Sequence, residues 1–434
     1  MLLKVYKNPY GAQLAEILDR PTKKNREIRK TVKPILRKVR KNGDQALIKY
    51  AREYDHVEIQ SIRVTEEEIE QSVLSVQPAL RDAIEIAYQN IERFHRAQAD
   101  GILEVETMPG VVCRRKCLPI SRIGLYIPGG SAPLFSTVLM LGVPAMVAGC
   151  ETVVLCTPPG KQGRIHPVIL YTARRIGIRQ IFKVGGAQAI AAMAYGTESV
   201  PRVYKIFGPG NQYVTAAKQM VGQQGIAIDL PAGPSELAVF ADGSAIPEFV
   251  AADLLAQCEH GPDSQVLLLS NNIQLIAQIQ EQLVLQLAVL PRRNIAEESL
   301  RNSRAILVES EDRAVEILNE YAAEHLILAL ADPERIADRI QNAGSVFLGN
   351  FSPEAAGDYA SGTNHTLPTN RAALAWSGLS LDSFIKKITY QTITEEGIRH
   401  LGPPVEAMAE AEHLMGHKTS VSCRLDYLEK RNGS

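Results

Sequence analysis

The sequence predicts an α/β protein that contains parallel β-sheet and has helical segments at both ends. From about Gly124 to Leu348, short runs rich in aliphatic and β-branched residues alternate with helical stretches, which is typical of βαβ units. The chain of 434 residues is 45 % hydrophobic and 22 % charged, with a net charge of −1, as in an ordinary globular protein. No apolar run is as long as a membrane span, and the balanced charge gives no reason to expect a nucleic acid or a membrane as partner.

The first hundred residues are predicted to be mainly helical. Residues 1–50 hold fourteen Lys and Arg against four Asp and Glu, which indicates a solvated helix face or an arm on another subunit. Apolar residues recur at helical spacing in Lys33–Tyr50 and Glu66–Gln98. The N-terminus resembles no signal peptide and the six cysteines are scattered, so we expect reduced thiols in a cytoplasmic protein.

The central part of the chain supplies the predicted strands. They are Thr152–Cys156, Gln180–Val184, Val203–Phe207, Ala227–Leu230, Leu237–Phe240, Gln265–Leu269, Ala305–Val308, His325–Leu330 and Ser345–Leu348. After Leu381 the pattern is helical and predicts no further strand, with one helix starting at Pro403-Pro404.

Gln257 and His260 form a candidate half of a metal site. Pro247 suits the first turn of a helix and Gly261-Pro262 suits its end, so both side chains lie on one face of the last turn. The carbonyl end of a helix favours a cation. Because Gln-x-x-His is common, a polar helix end with no ligand is the simpler interpretation when this motif is taken alone.

Further polar residues lie where predicted elements meet. Glu324 and His325 precede a strand and could form an acid/base pair of different basicity. The segment Gly349–Thr369 has no convincing periodicity, and its Asp358 could bind zinc through oxygen while His365 lies nearby in sequence. Glu412 and His417 follow at the end of the later helix.

Glycine-rich turns follow several predicted strands. The turns GGAQA, GPGN and PAGPS, at 185–189, 208–211 and 231–235, suit close approach of the backbone to a ligand beyond the strand ends. A following helix N-terminus offers N–H groups to a pyrophosphate. The G-x-G-x-x-G fingerprint is absent, so a dinucleotide and simple turn chemistry both remain open.

Eight sequence blocks together resemble the histidinol dehydrogenase family. They occur in the family's order between residues 124 and 418: YIPGGSAPLFSTVLML, VGGAQAIAAMAYG, KIFGPGN, DLPAGPSE, LLAQCEHGPDSQ, AEHL, GDYASGTNH and AEHLMGHK. Long matches in a fixed order make this resemblance highly specific.

The resemblance implies an activity and its cofactors. Members oxidise L-histidinol to L-histidine through bound L-histidinal, using two NAD+ and one Zn2+ per subunit, in the last steps of histidine biosynthesis. It also implies roles for individual residues: zinc ligands Gln257, His260, Asp358 and His417; catalytic residues Glu324, which activates water, and His325, the general base; further substrate contacts Ser235, His365 and Glu412; cofactor contacts Tyr126, Gln188 and Asn211.

The resemblance also implies two incomplete Rossmann-like parallel-sheet domains with small helical N- and C-terminal extensions. The expected division is an N-terminal helical arm of residues 1–24, a first domain of 25–125 with 235–380, a second domain of 126–234, and a C-terminal extension of 381–434. Family members are homodimers in which this extension reaches the partner's active site.

Two other classes of function stay open at this point. A zinc hydrolase would use the same His, Asp and Glu with a metal-bound water. A catalytically silent binding protein would keep the fold but lose Glu324 or His325, and both residues are present.

Overall fold

The computed structural model describes residues 2–20, 25–129, 132–230 and 233–432. Residues 21–24 of the predicted N-terminal arm and residues 231 and 232 of the turn at 231–235 lie outside the described residues. Within the described part, no helix is long and apolar enough to cross a membrane.

The β-strands form two parallel sheets and one antiparallel sheet. The six-stranded parallel sheet has the order β1-β11-β10-β9-β12-β13, the five-stranded parallel sheet β6-β5-β4-β7-β8, and the antiparallel sheet β14-β3-β2. The strands are β1 (Lys4–Lys7), β2 (Leu103–Met108), β3 (Val111–Pro119), β4 (Arg122–Tyr126), β5 (Thr152–Thr157), β6 (Gln180–Lys183), β7 (Lys205–Phe207), β8 (Ala227–Ile228), β9 (Glu236–Ala241), β10 (Gln265–Ser270), β11 (Arg304–Leu307), β12 (His325–Ala329), β13 (Ser345–Leu348) and β14 (Ile385–Ile393).

The α-helices connect and cover these strands. They are α1 (Gly11–Leu18), α2 (Asn25–Tyr50), α3 (Glu66–Ser75), α4 (Pro78–Arg96), α5 (Phe135–Ala148), α6 (Pro167–Ile176), α7 (Gly186–Tyr195), α8 (Gln212–Gly222), α9 (Pro247–Cys258), α10 (Ile273–Val289), α11 (Arg293–Arg301), α12 (Glu311–Tyr321), α13 (Pro333–Ala337), α14 (Glu354–Tyr359), α15 (Glu395–Ala411) and α16 (Met415–Asn432). A π-helical turn, Ala51–Asp55, follows α2.

Both parallel sheets are buried on their two faces, as helices on each side of a parallel sheet require. In β9, Leu237 and Val239 face one hydrophobic cluster, whereas Ala238 and Phe240 face another. The same alternation places Leu125 and Tyr126 of β4 in different clusters. The predicted α/β class with two incomplete Rossmann-like sheets and helical termini is therefore confirmed.

The sequence prediction was wrong about strands near the two ends of the chain. Residues 385–393 form β14, which pairs with β3 in the antiparallel sheet, although no strand was expected after Leu381. The expected N-terminal arm also contains a strand, since β1 pairs with β11 at the edge of the six-stranded sheet. Both strands depend on partners distant in sequence, so a local pattern gives a weak signal for them.

Two helices also differ from the sequence prediction. The helix expected to start at Pro403-Pro404 begins earlier, at Glu395, and contains both prolines. It packs along α16, and this contact stabilises a helix that lacks two backbone donors. The segment Gly349–Thr369, predicted without periodicity, contains the short helix α14.

The chain divides into two compact units, residues 1–98 with 120–384 and residues 99–119 with 385–434. Within the first unit, the helices of residues 25–96 share clusters with the five-stranded sheet: Val32 and Leu36 pack in the cluster of Phe182, and Ile84 and Ile91 in that of Leu125. The expected division grouped these helices with residues 235–380. Those domain boundaries stay a prediction, since helix amphipathicity alone does not indicate which sheet a helix covers.

A buried ion pair joins the N-terminal segment to the six-stranded sheet. Arg20 donates to both carboxylate oxygens of Glu236, at 3.3 Å from Nε and 2.7 Å from Nη2. Nη2 also donates to the Tyr321 carbonyl at 2.6 Å, and the guanidinium lies 3.9 Å from the centroid of the Tyr321 ring. Both side chains of the pair are 5 % or less exposed. A planar guanidinium group can donate to both oxygens of one carboxylate at once, which the ammonium group of Lys cannot do in the same geometry.

We expect the substitution Arg20→Met to destabilise the protein by about 3–5 kcal/mol, because it leaves the Glu236 carboxylate buried without its cation. Urea unfolding followed by circular dichroism measures this change. The control is Arg52→Met, which breaks a solvent-exposed pair with Glu58. Equal unfolding midpoints for the two variants would contradict the role of the buried pair.

Candidate active site

The candidate catalytic pair, Glu324 and His325, lies at the amino end of β12, next to the amino end of β9. His325 is the first residue of β12 and pairs in register with Leu237 of β9. Glu324 precedes it, and its Oε2 accepts a hydrogen bond of 2.9 Å from the backbone N–H of Glu236. Glu324 and His325 are only 6 % and 3 % exposed. The central strands of the six-stranded sheet therefore fix the positions of both residues.

Three carboxylates surround the His325 imidazole. Its Nδ1 lies 3.7 Å from Glu354 Oε1 and 3.8 Å from Glu324 Oε2, and its Nε2 lies 3.4 Å from Asp358 Oδ1. Glu354 and Asp358 belong to α14, where a spacing of four residues places both on one helix face. Glu354 was missed in the sequence, although this spacing within SPEAAGD was a usable signal.

The carboxylates determine the electrostatics of this cluster. Burial raises the pKa of Glu324 and of Glu354 to about 8 in each case. Burial alone would lower the pKa of His325, but Glu354, Glu324 and the hydrogen bond with Asp358 outweigh it and raise the pKa. Burial would also raise the pKa of Asp358, yet its contacts with His325 and nearby histidines keep it below the usual value. The cluster thus favours an imidazolium among partly protonated carboxyl groups.

The end of α9 brings His260 to the same cluster, and Gln257 lies on the last turn of that helix. His260 Nε2 lies 3.9 Å from Asp358 Oδ2, and its side chain is 45 % exposed. Gln257 is fully buried, and neither its amide oxygen nor its amide nitrogen has a hydrogen-bond partner among the described residues. Because an unsatisfied buried amide is costly, this oxygen is suited to a ligand.

The arrangement of donors fits a divalent metal ion. Ligand atoms of His260, Glu354 and Asp358 all lie within 4.8 Å of one another. Imidazole and carboxylate groups are ordinary zinc ligands, and the unpartnered Gln257 oxygen adds a neutral one. The structure thus brings together His260 and Asp358 of the four ligands expected from the sequence, and it adds Glu354 as a further candidate.

Two of the expected substrate contacts lie in the same compact unit. His365 Nδ1 is 2.9 Å from the backbone oxygen of Asp358, which fixes its ring beside α14. Burial lowers the pKa of His365 and so favours its neutral form. Ser235 directly precedes β9 and is partly buried. Glu412 and His417 belong to the other compact unit and have exposed side chains.

The three expected cofactor contacts line one cleft of about 1180 Å³. Tyr126 ends β4, and its hydroxyl accepts a 3.0 Å hydrogen bond from the N–H of Gly186 at the start of α7. Gln188 belongs to α7, and Asn211 caps α8 by accepting hydrogen bonds from the N–H groups of Tyr213 and Val214. The cleft opens at the carboxyl ends of β4 and β7, where the strand order changes direction.

The turn after β7 is fixed by buried contacts. Gly208 has φ of +128°, and a Cβ at this position would overlap the Tyr126 carbonyl oxygen. Its N–H donates to Asp229 at 2.7 Å, and its carbonyl accepts a 2.8 Å hydrogen bond from Lys218 Nζ. Close packing of this turn against β4 therefore requires glycine at position 208.

Comparisons with known proteins identify the family of this chain. The chain matches the family model described as histidinol dehydrogenase over residues 18–425. It is 55 % identical to the histidinol dehydrogenase of Bacteroides thetaiotaomicron, over 99 % of this chain and 100 % of the relative. It is 52 % identical to that of Xanthomonas axonopodis pv. citri, over 96 % of this chain and 97 % of the relative.

A solved structure gives the same result. The fold superposes on the crystal structure of histidinol dehydrogenase from Elizabethkingia anophelis with a TM-score of 0.97, at 52 % identity and with 99 % of each chain covered. Family, sequence and fold thus agree over nearly the whole length, and the chain belongs to the histidinol dehydrogenase family.

Proposed function

We propose that this protein is a zinc-dependent L-histidinol dehydrogenase that oxidises L-histidinol to L-histidine through bound L-histidinal, with two NAD+ as electron acceptors. The observation that supports this most is the convergence of Glu324 and His325 with His260 and Asp358 in one cluster, with the buried, unpartnered Gln257 amide on the same helix turn as His260. It combines an acid/base pair, which serves proton removal from an alcohol and a hydrate, with donors for a metal that would orient the substrate.

His325 is the proposed base for the first oxidation. Its imidazole, made neutral when a bound cation offsets the three carboxylates around it, would remove the hydroxyl proton of histidinol as a hydride leaves the carbon for NAD+. Glu324 then takes a proton from the water that hydrates the aldehyde, because only a gem-diol carbon can be oxidised again. The hydrogen bond from Glu236 N–H holds the Glu324 carboxyl group in a fixed orientation for this step.

Gln257, His260 and Asp358 are proposed to bind Zn2+, together with His417. The ion would hold the imidazole and amine of the substrate and would offset the carboxylate charge around His325. Ser235, His365 and Glu412 are the proposed further substrate contacts. The neutral form of His365, favoured by burial, suits a hydrogen bond to the substrate rather than a charge contact.

NAD+ is proposed to bind in the cleft lined by Tyr126, Gln188 and Asn211. The N-termini of α7 and α8 offer backbone donors to its phosphates. We also propose a homodimer in which the C-terminal segment of one subunit completes the active site of the other. The exposure of Glu412 and His417 supports this arrangement.

Chelation is expected to abolish turnover, and added Zn2+ is expected to restore it. His260→Ala should lower zinc affinity by more than the roughly 10–100-fold that loss of an indirect contact causes. Metal content measured by atomic absorption after dialysis tests this, with His400→Ala as the control histidine. Full activity of a protein shown to be metal-free would disprove the zinc proposal.

Mixed dimers test the shared site. The inactive variants His417→Ala and His260→Ala, refolded together, should form hybrids in which one site carries both lesions and the other carries neither. Activity should therefore reappear in hybrids verified by mass spectrometry. Hybrids that stay inactive would place His417 in the site of its own chain.

Substitution of each catalytic residue should affect a different oxidation. His325→Asn should slow histidinol oxidation by about 10²–10⁴-fold, the usual loss for a general base. Glu324→Gln should spare the first oxidation more than the second, because only the second needs an activated water. NADH formed per enzyme in a single turnover should be near two for the unmodified protein and nearer one, with histidinal accumulating, for Glu324→Gln.

The same measurement tests the proposed function as a whole. A yield of two NADH per histidinol is the expected result, and no reduction of NAD+ would favour a zinc hydrolase. If Glu324→Gln slows the oxidation of histidinol and of added histidinal equally, the two residues act as one unit and the separate roles are wrong.

A further inference from the structure

One side of the proposed cofactor cleft is lined by residues that are not among the proposed cofactor contacts. Tyr54 and Asp55 line the cleft from the π-helical turn that follows α2. Single π-helical turns are rare in proteins, and those that occur are often found at functional sites. This turn ends at His56, whose φ of +56° is uncommon for a residue other than glycine.

Asp55 has a carboxylate oxygen without a partner. Its Oδ2 is shielded from solvent and accepts no hydrogen bond from any described residue. Burial raises the pKa of Asp55 to about 6, and the nearby His56 offsets this only in part. Because a buried acceptor without a donor is costly, the cleft is built for a ligand that donates hydrogen bonds at this point.

The rest of the cleft presents the other groups that a dinucleotide needs. Lys161 and Arg164 line it with exposed cationic side chains, which suit phosphate oxygens. Beside Asp55, the Tyr54 ring is 45 % exposed and is held by stacking on Tyr50, with centroids 5.3 Å apart and planes 6° apart. A fixed, exposed aromatic face suits a purine base. An aromatic ring next to a carboxylate therefore favours the adenosine half of the ligand on this side.

We propose that Asp55 accepts hydrogen bonds from the 2′- and 3′-hydroxyls of the adenosine ribose and so selects NAD+ against NADP+. This rests on the proposed function, in which the cleft binds NAD+. A ribose diol donates to the unpartnered oxygen, whereas a 2′-phosphate would place a second negative group against the carboxylate. Asp55 thus has the role that an acidic residue has in dinucleotide folds with the glycine fingerprint, but it comes from a different part of the chain.

The substitution Asp55→Asn tests the proposal in steady-state kinetics with both dinucleotides. The KM for NAD+ should rise while kcat changes little, because the ribose lies away from the reacting carbon. The ratio of kcat/KM for NAD+ to that for NADP+ should fall by about ten- to hundredfold, as expected for loss of hydrogen bonds to a charged group. An unchanged ratio in a folded variant overturns the proposal.

Two control substitutions separate this effect from a general change of charge. Glu53→Gln removes a carboxylate from the same turn, but this residue lines a different surface depression and should leave the ratio unchanged. Arg164→Ala removes a cation of the cleft and should weaken both dinucleotides to a similar extent. If Glu53→Gln lowers the ratio as much as Asp55→Asn, long-range charge and not ribose contact is responsible.

Binding without turnover distinguishes failure of this inference from failure of the proposed function. Calorimetry compares ADP-ribose with 2′-phospho-ADP-ribose on the unmodified protein, on Asp55→Asn and on Asp55→Ser, with thermal unfolding as the folding check. A preference for ADP-ribose that both variants lose supports the inference even if histidinol is not the substrate. A preference that both folded variants keep overturns it, even if two NADH are formed from each histidinol.

Discussion

The Arg20–Glu236 ion pair is the interaction on which the candidate catalytic site depends most. Glu236 opens β9, its backbone N–H donates to the Glu324 carboxylate, and its side chain accepts from the backbone N–H of Asn370. A buried carboxylate at this position needs a cation, and Arg20 supplies one with two further hydrogen bonds to main-chain carbonyls. One pair therefore links the N-terminal segment, the start of a central strand, the candidate catalytic carboxylate and the loop after His365.

The two parallel sheets contribute opposite ends to the proposed chemistry. The cleft of the five-stranded sheet lies at strand carboxyl ends, where parallel sheets usually bind ligands. The cluster around His325 lies at the amino ends of β9 and β12. Rigid strands position Glu324 and His325, whereas α9 and α14 bring the metal-binding donors from the sides. A site built on such elements holds its side chains more precisely than one built on loops alone.

Local sequence patterns were sufficient to single out candidate residues that lie together in short motifs. Gln257 with His260, and Glu324 with His325, were recognised because helix spacing or adjacency already places each pair together. Glu354, Asp55 and Arg20 were missed. Arg20 and Glu354 stand out only through contacts with residues distant in sequence. Asp55 stands out only because a buried oxygen of its carboxylate has no hydrogen-bond partner among the described residues. The grouping of helices 25–96 with the five-stranded sheet escaped prediction for the same reason.

The sequence by itself determined the α/β class, most strands of the two parallel sheets, the family and the candidate pairs at element ends. These follow from periodicity, turn residues and ordered motifs, which act over a few residues. Only the tertiary structure decided that β1 and β14 are strands, that three carboxylates surround His325, and that the Asp55 oxygen is left without a donor in the cleft. Strand pairing, burial and unsatisfied polar groups depend on contacts between distant residues, and such contacts exist only once the chain is folded.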